Sequence, residues 1–124
     1  MANAANPTRL TVSKDKDQLE VAFGPSEDFA FSAEFLRVLS PSAEVRGHSE
    51  ADRKTVGGKR NVRISAISPI GNYAVKITFD DGHSTGIFSW DYFRESGENQ
   101  QTLWSDYLAE LEAKGLDRDI PQII

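Results

Sequence analysis

Tyr73-Ala74-Val75-Lys76-Ile77-Thr78-Phe79-Asp80-Asp81-Gly82-His83-Ser84-Thr85-Gly86-Ile87-Phe88-Ser89-Trp90 packs a strand, a turn, a second strand and a helix start into one run. Tyr73, Val75, Ile77 and Phe79 alternate with Ala74, Lys76 and Thr78, the period-two pattern of a strand with one buried face. The Asp81-Gly82 pair suits a primed hairpin turn, so Ser84 to Phe88 is expected to return as an antiparallel partner. Ser89 has the chemistry to cap a short helix over Trp90 to Arg94, ending near Gly97. An antiparallel unit running into a helix sets the fold class.

Reading outward gives the same picture. Met1 to Pro7 carries no pattern and is expected to be a disordered start. Arg9 to Val12 reads as a strand, and Leu19, Val21 and Phe23 alternate with Glu20 and Ala22. Gly24-Pro25-Ser26 turns the chain, and Phe29 and Phe31 alternate again, giving a small meander. Ser32 fits an N-cap, with a short helix near 32–39 that stops before Pro41. Glu44 to Asn61 is polar and reads as a long loop ending near Gly57-Gly58. Val62, Ile64 and Ala66 start a strand that Pro69 and Gly71-Asn72 are expected to kink or turn. Leu103, Trp104, Tyr107, Leu108 and Leu111 fall on one face of an amphipathic helix near 101–114, stopped by Lys114-Gly115. The fold expected is α+β, a small β-rich domain of antiparallel strands and hairpins with these two helices.

Composition narrows the function. The chain has 124 residues, room for one core, and its seven Phe, three Tyr and two Trp supply large buried surfaces. It has no cysteine, so disulfides, thiolate ligands and a cysteine nucleophile are excluded. A net charge of −5 disfavours a phosphate backbone as partner. Arg46, Arg53, Lys54, Lys59, Arg60 and Arg63 read as a solvated loop face, so no nucleic-acid partner is expected. Without a long apolar run no membrane partner is expected either, and the cytoplasm is the expected compartment.

Gly57-Gly58-Lys59 lacks the rest of a P-loop, and no Gly-x-Ser-x-Gly elbow occurs. No catalytic residues are assigned; a stand-alone hydrolase using acids and a histidine ranks third among the functional readings. Two histidines remain. His83 follows Asp80-Asp81-Gly82, and His48 lies in a loop with Glu44, Glu50 and Asp52. His83, His48 and Asp81 together could bind a divalent metal such as iron through nitrogen and oxygen, provided the fold joins the two loops. The plainer reading is that Asp80 and Asp81 form the turn and His83 simply sits in it. Trp90 and Tyr92, near a strand end, are the candidate partner-binding residues; the other aromatics read as core.

Two segments carry a resemblance: Leu36-Arg37-Val38-Leu39-Ser40-Pro41-Ser42-Ala43-Glu44-Val45-Arg46-Gly47-His48, and Ile70-Gly71-Asn72-Tyr73-Ala74-Val75 followed by Phe79 to Trp90. In this order they resemble the bacterial family related to the N-terminal domain of gamma-butyrobetaine hydroxylase, over residues 8 to 97. Residues 98–124 would then form a C-terminal helix and tail on the same domain. The resemblance implies the accessory module and not the oxygenase, whose catalytic domain exceeds the residues left after Gly97. The hydroxylase module holds a structural zinc through three cysteines and a histidine. On that pattern Ser40, Ser42 and Val45 stand where the cysteines would, and His83 matches the histidine. Serine is a poor zinc ligand and valine is none, so no structural zinc is expected. Similar domains occur fused to ATPases of the iron–sulfur carrier type. The resemblance therefore implies a non-enzymatic interaction module of iron or iron–sulfur metabolism, with such a carrier ATPase or a client as protein partner and no cofactor of its own.

Overall fold

A computed structural model of the protein describes residues 6–24, 27–41, 55–84 and 86–119. In it the early meander forms as expected. β1 (Arg9–Val12), β2 (Gln18–Ala22) and β3 (Asp28–Ser32) make an antiparallel sheet in the order β1-β2-β3. Leu19 pairs with Phe31 and Val21 with Phe29, so one face of the sheet is apolar. β4 (Ile64–Ile70), β5 (Ala74–Phe79) and β6 (Ile87–Ser89) form a second antiparallel sheet in that order. Three helices complete the described elements: α1 (Ala33–Val38), α2 (Trp90–Glu98) and α3 (Gln100–Ala113). The architecture is α+β.

Local chemistry explains most boundaries. Ser32 Oγ accepts from the Phe35 amide and Ser89 Oγ from the Tyr92 amide, so both predicted serine caps start their helices. Gly115, at φ +67, supplies the left-handed turn that ends α3.

Four expectations are corrected. Pro69 lies inside β4, not at a break, because β4 is an edge strand in its sheet and lacks a second neighbour for the missing N–H to serve. Tyr73 belongs to the turn before β5 and is 59% exposed. The Asp-Gly turn is not a two-residue hairpin. The Phe79 amide donates to the His83 carbonyl at 2.9 Å and Gly82 N to Phe79 O at 3.0 Å, a three-residue loop with Gly82 at φ +92. β6 consequently begins only at Ile87. Last, Leu108 stands off the buried stripe of α3, where Tyr107 and Leu111 are buried.

The sheets share one core. Rings run from the first sheet to the second: Phe35 to Phe31 at 5.6 Å, Phe31 to Phe93 at 5.6 Å, Phe93 to Phe88 at 6.0 Å and Phe88 to Phe79 at 6.5 Å. Each such buried ring contributes about 2–3 kcal/mol through apolar burial.

The chain after α3 is strapped to the loop before β4. Gly58 N donates to Asp117 O at 2.8 Å and Arg60 N to Arg118 O at 3.1 Å. Gly57 is needed there, since a Cβ would stand 2.9 Å from Asp117 O. Arg60 pairs with Asp119, and Arg118 grips Glu34 of α1 through Nε and Nη2 at 2.8 and 2.6 Å. Tyr107 Oη donates to Val56 O at 2.5 Å. Burial, helped by the Glu34 carboxylate and opposed by Arg118, pushes the Tyr107 hydroxyl up to about 12, so it stays a donor. Arg60 and Arg63 are exposed, and Lys59, Arg60 and Arg63 each have a specific partner there; Arg63 Nε donates to Asp15 O at 2.9 Å. Arg46, Arg53, Lys54 and the expected tail 120–124 lie outside the described residues.

Candidate functional site

The turn after β5 is built by its own carboxylates. Asp80 Oδ1 accepts from the Arg63 amide at 3.1 Å, while Asp80 N donates to Arg63 O at 2.8 Å, locking the turn to the entry of β4. Asp81 Oδ1 accepts from the His83 amide at 3.0 Å, an Asx bond that closes the loop. Its other oxygen, Oδ2, takes two cations: Lys59 Nζ at 2.6 Å and Arg37 Nε at 2.8 Å. Burial opposes ionisation of Asp81. The hydrogen bonds from Lys59, the His83 amide and Arg37 outweigh it and hold the carboxyl down at about 2. Asp81 therefore ties together α1, the loop before β4 and the turn.

His83 is buried, with 8% of its surface exposed, and its ring lies 6.2 Å from that of Phe79. Its Nε2 is 3.4 Å from Ser40 Oγ, itself fully buried. Residues 43 apart in sequence thus meet, as the zinc pattern of the resemblance requires of its histidine and first cysteine positions. Gly86 closes the spot: a Cβ there would run into Ser40 Oγ and stand 3.0 Å from the Phe88 ring. Ser42, Val45 and His48 lie outside the described residues. Among the described residues no group of three or more His, Asp or Glu side chains could hold a metal ion. The donors present do not suit a structural zinc, because the hydroxyl at Ser40 replaces the thiolate such a site needs.

The aromatic candidates are half-buried rather than free. Trp90 packs against the core, and its Nε1 donates to Asn72 O at 2.7 Å. Tyr92 Oη donates to Leu39 O at 2.9 Å. Beside Trp90, whose amide donates to Tyr73 O at 3.1 Å, Tyr73 is 59% exposed; Ile87 of β6, 47% exposed, lies opposite Lys76 on the other face of the sheet from Phe88. Reading Tyr73 as a buried strand residue hid its exposure; the Gly71-Asn72 turn signal beside it was the available clue. A cleft of about 540 Å³ opens elsewhere, between the first sheet and α3, and none of His83, Asp80 or Asp81 lines it.

A family model described as gamma-butyrobetaine hydroxylase-like, N-terminal, matches residues 10–94. No curated protein matches. Among solved structures, one determined by NMR in solution is 40% identical, covers 98% of this chain and 96% of its own, and superposes with a TM-score of 0.82. A second solution structure is 43% identical over 99% of this chain and 93% of its own, at a TM-score of 0.80. A crystal structure of a protein of unknown function in the DUF971 family, from Acidithiobacillus ferrooxidans, is 32% identical. It covers 73% of this chain and 90% of that one, at a TM-score of 0.60.

Proposed function

Because this chain belongs to the gamma-butyrobetaine hydroxylase-like N-terminal family, we propose that it is a non-enzymatic interaction module. Its partner on this reading is a cytoplasmic protein of iron or iron–sulfur metabolism, an iron–sulfur carrier ATPase or its client. The observation that carries the proposal is the surface around Trp90. One large side chain, Tyr73, stands exposed beside an indole whose N–H is already bonded within the domain, the Trp90 amide donating to Tyr73 O at 3.1 Å. A pinned indole beside an exposed ring is a contact surface whose anchored part loses little side-chain entropy on docking.

Trp90 and Tyr92 both pack against the core, so their removal also disturbs packing. The cleaner test changes Tyr73 to Ala and measures binding to a purified iron–sulfur carrier ATPase by calorimetry. A loss of at least about tenfold in affinity with unchanged thermal unfolding is expected. Equal binding by the variant, or none by the parent, counts against the surface.

A second reading makes His83 a ligand for a divalent metal with His48 and Asp81. The burial of His83 against Ser40 favours it, since buried imidazoles suit metal binding. Arg37 and Lys59 compete with it for Asp81. If it holds, Fe²⁺ or Mn²⁺ raises the unfolding temperature of the parent and not of His83→Ala; no shift in the parent removes this reading.

A further inference from the structure

The cleft between the first sheet and α3 contains an open strand edge. Ala33 N donates to Asp17 O and Phe23 N to Glu27 O, both at 2.8 Å, at the two ends of the β2–β3 ladder. Hydrogen-bonded pairs recur at every second residue of an antiparallel ladder, so Leu19–Phe31 and Val21–Phe29 are the pairs that exchange bonds. Ala30 and Ser32 therefore turn their N–H groups, and Ala30 its carbonyl, away from β2. β3 is an edge strand, so no third strand receives them. Outside the ladder, no described backbone group bonds to Ala30. These same two residues line the cleft.

The walls match that edge. Gln18, Gln100, Gln101, Trp104 and Arg118 also line the cleft. No described residue bonds to the carboxamide of Gln18, Gln100 or Gln101. Each carboxamide offers donors and an acceptor together, as a peptide group does. Charge within the cleft is already balanced, because Arg118 is gripped by Glu34 and laid over Trp104 at 5.2 Å. A free anion or cation gains little there. From Ala30 to Ser32 the edge carries no charge, Pro or bulge to guard against strand pairing. α2 packs beside β3 at Phe29, where a Cβ on Gly97 would strike the ring, so the open length runs from Ala30 to Ser32.

We infer that this cleft binds an extended, uncharged peptide segment of a partner protein, added as a fourth strand on β3 with its amides held by the flanking glutamines. The inference is independent of the Trp90 surface and of any metal.

The test uses the full chain and the capped peptide acetyl-Thr-Val-Thr-Val-Thr-amide. Two N-methylated forms accompany it, one blocked on each strand edge. Amide hydrogen exchange is followed residue by residue. The parent peptide and one N-methylated form are expected to slow exchange at Ala30 and Ser32, while the form methylated on the pairing edge does not. In Ala30→Pro the β2 ladder is untouched because the lost N–H faces outward, and peptide affinity falls about tenfold for one lost bond. Gln101→Ala is expected to weaken binding without changing stability. The inference is overturned if none of the peptides slows Ala30 exchange at millimolar concentration, or if both N-methylated forms act alike. Concentration-dependent protection of Ala30 in the chain alone would assign the edge to a second copy and equally overturn it.

Discussion

Asp81 shows how much one side chain on a turn can carry. It accepts from Lys59, Arg37 and its own turn amide, and its carboxyl is held at about 2 against an ordinary 3.8. A depressed carboxyl stabilises the fold fully above the ordinary value and loses that contribution as pH falls toward 2. After solvent screening the contribution is about 1 kcal/mol. Asp81→Asn should therefore be less stable than the parent by about that amount at pH 7 in urea unfolding, and the two curves should converge near pH 2. A constant gap across that range would contradict the assignment. Sequence spacing showed the Asp-Gly-His trio but not its partners, because Arg37 and Lys59 lie 44 and 22 residues away. Long-range ion pairs leave no periodic trace in a chain. The meeting of Ser40 with His83 came from the resemblance alone; no local pattern announces it.

At the scale of elements, hydrogen-bonding chemistry was legible and register was not. Ser32 and Ser89 announced their helices because a hydroxyl before an apolar run has one favourable use there. Ser32→Ala should cost about 1 kcal/mol and fray α1, seen as faster exchange of the Phe35 amide, which donates to Ser32 Oγ at 2.9 Å. An unchanged unfolding midpoint would show that packing alone starts the helix. Pro69 and Tyr73 misled for a shared reason: both lie on the exposed side of a hairpin, where burial exerts no selection on residue type. The open edge of β3 was equally invisible, since Asp28-Phe29-Ala30-Phe31-Ser32 reads the same whether or not a neighbour strand exists. Which groups point outward depends on the ladder, and the ladder depends on the partner strand.

Across the whole molecule, ion pairs join distant ends of the chain into a loop of contacts: Arg118 with Glu34, Arg37 and Lys59 with Asp81, and Arg60 with Asp119. Glu34 is 4% exposed, so removing its partner leaves a buried charge. Arg118→Ala should release the strap and destabilise the fold by about 3 kcal/mol, with faster exchange at Gly58 and Arg60, whose amides donate to Asp117 O and Arg118 O. Slow exchange there in the variant would mean that the backbone bonds alone hold the strap. The composition of residues 55–61 suggested only a loop; its order comes from a segment more than fifty positions downstream, which is why no window of sequence contained it. Chemical ageing draws on the same network. Asp-Gly sequences isomerise when the glycine nitrogen attacks the aspartyl carboxyl, losing water to form a succinimide that reopens partly as isoaspartate. In this fold Gly82 N is engaged by Phe79 O and the Asp81 carboxyl is kept ionised between two cations. Mass spectrometry of protein stored at neutral pH should find isoaspartate at Asp81 accumulating more slowly than in a free Thr78–Ser84 peptide. The advantage should shrink when Arg37 and Lys59 are changed to Ala, making the turn that anchors the fold also the clock of its decay.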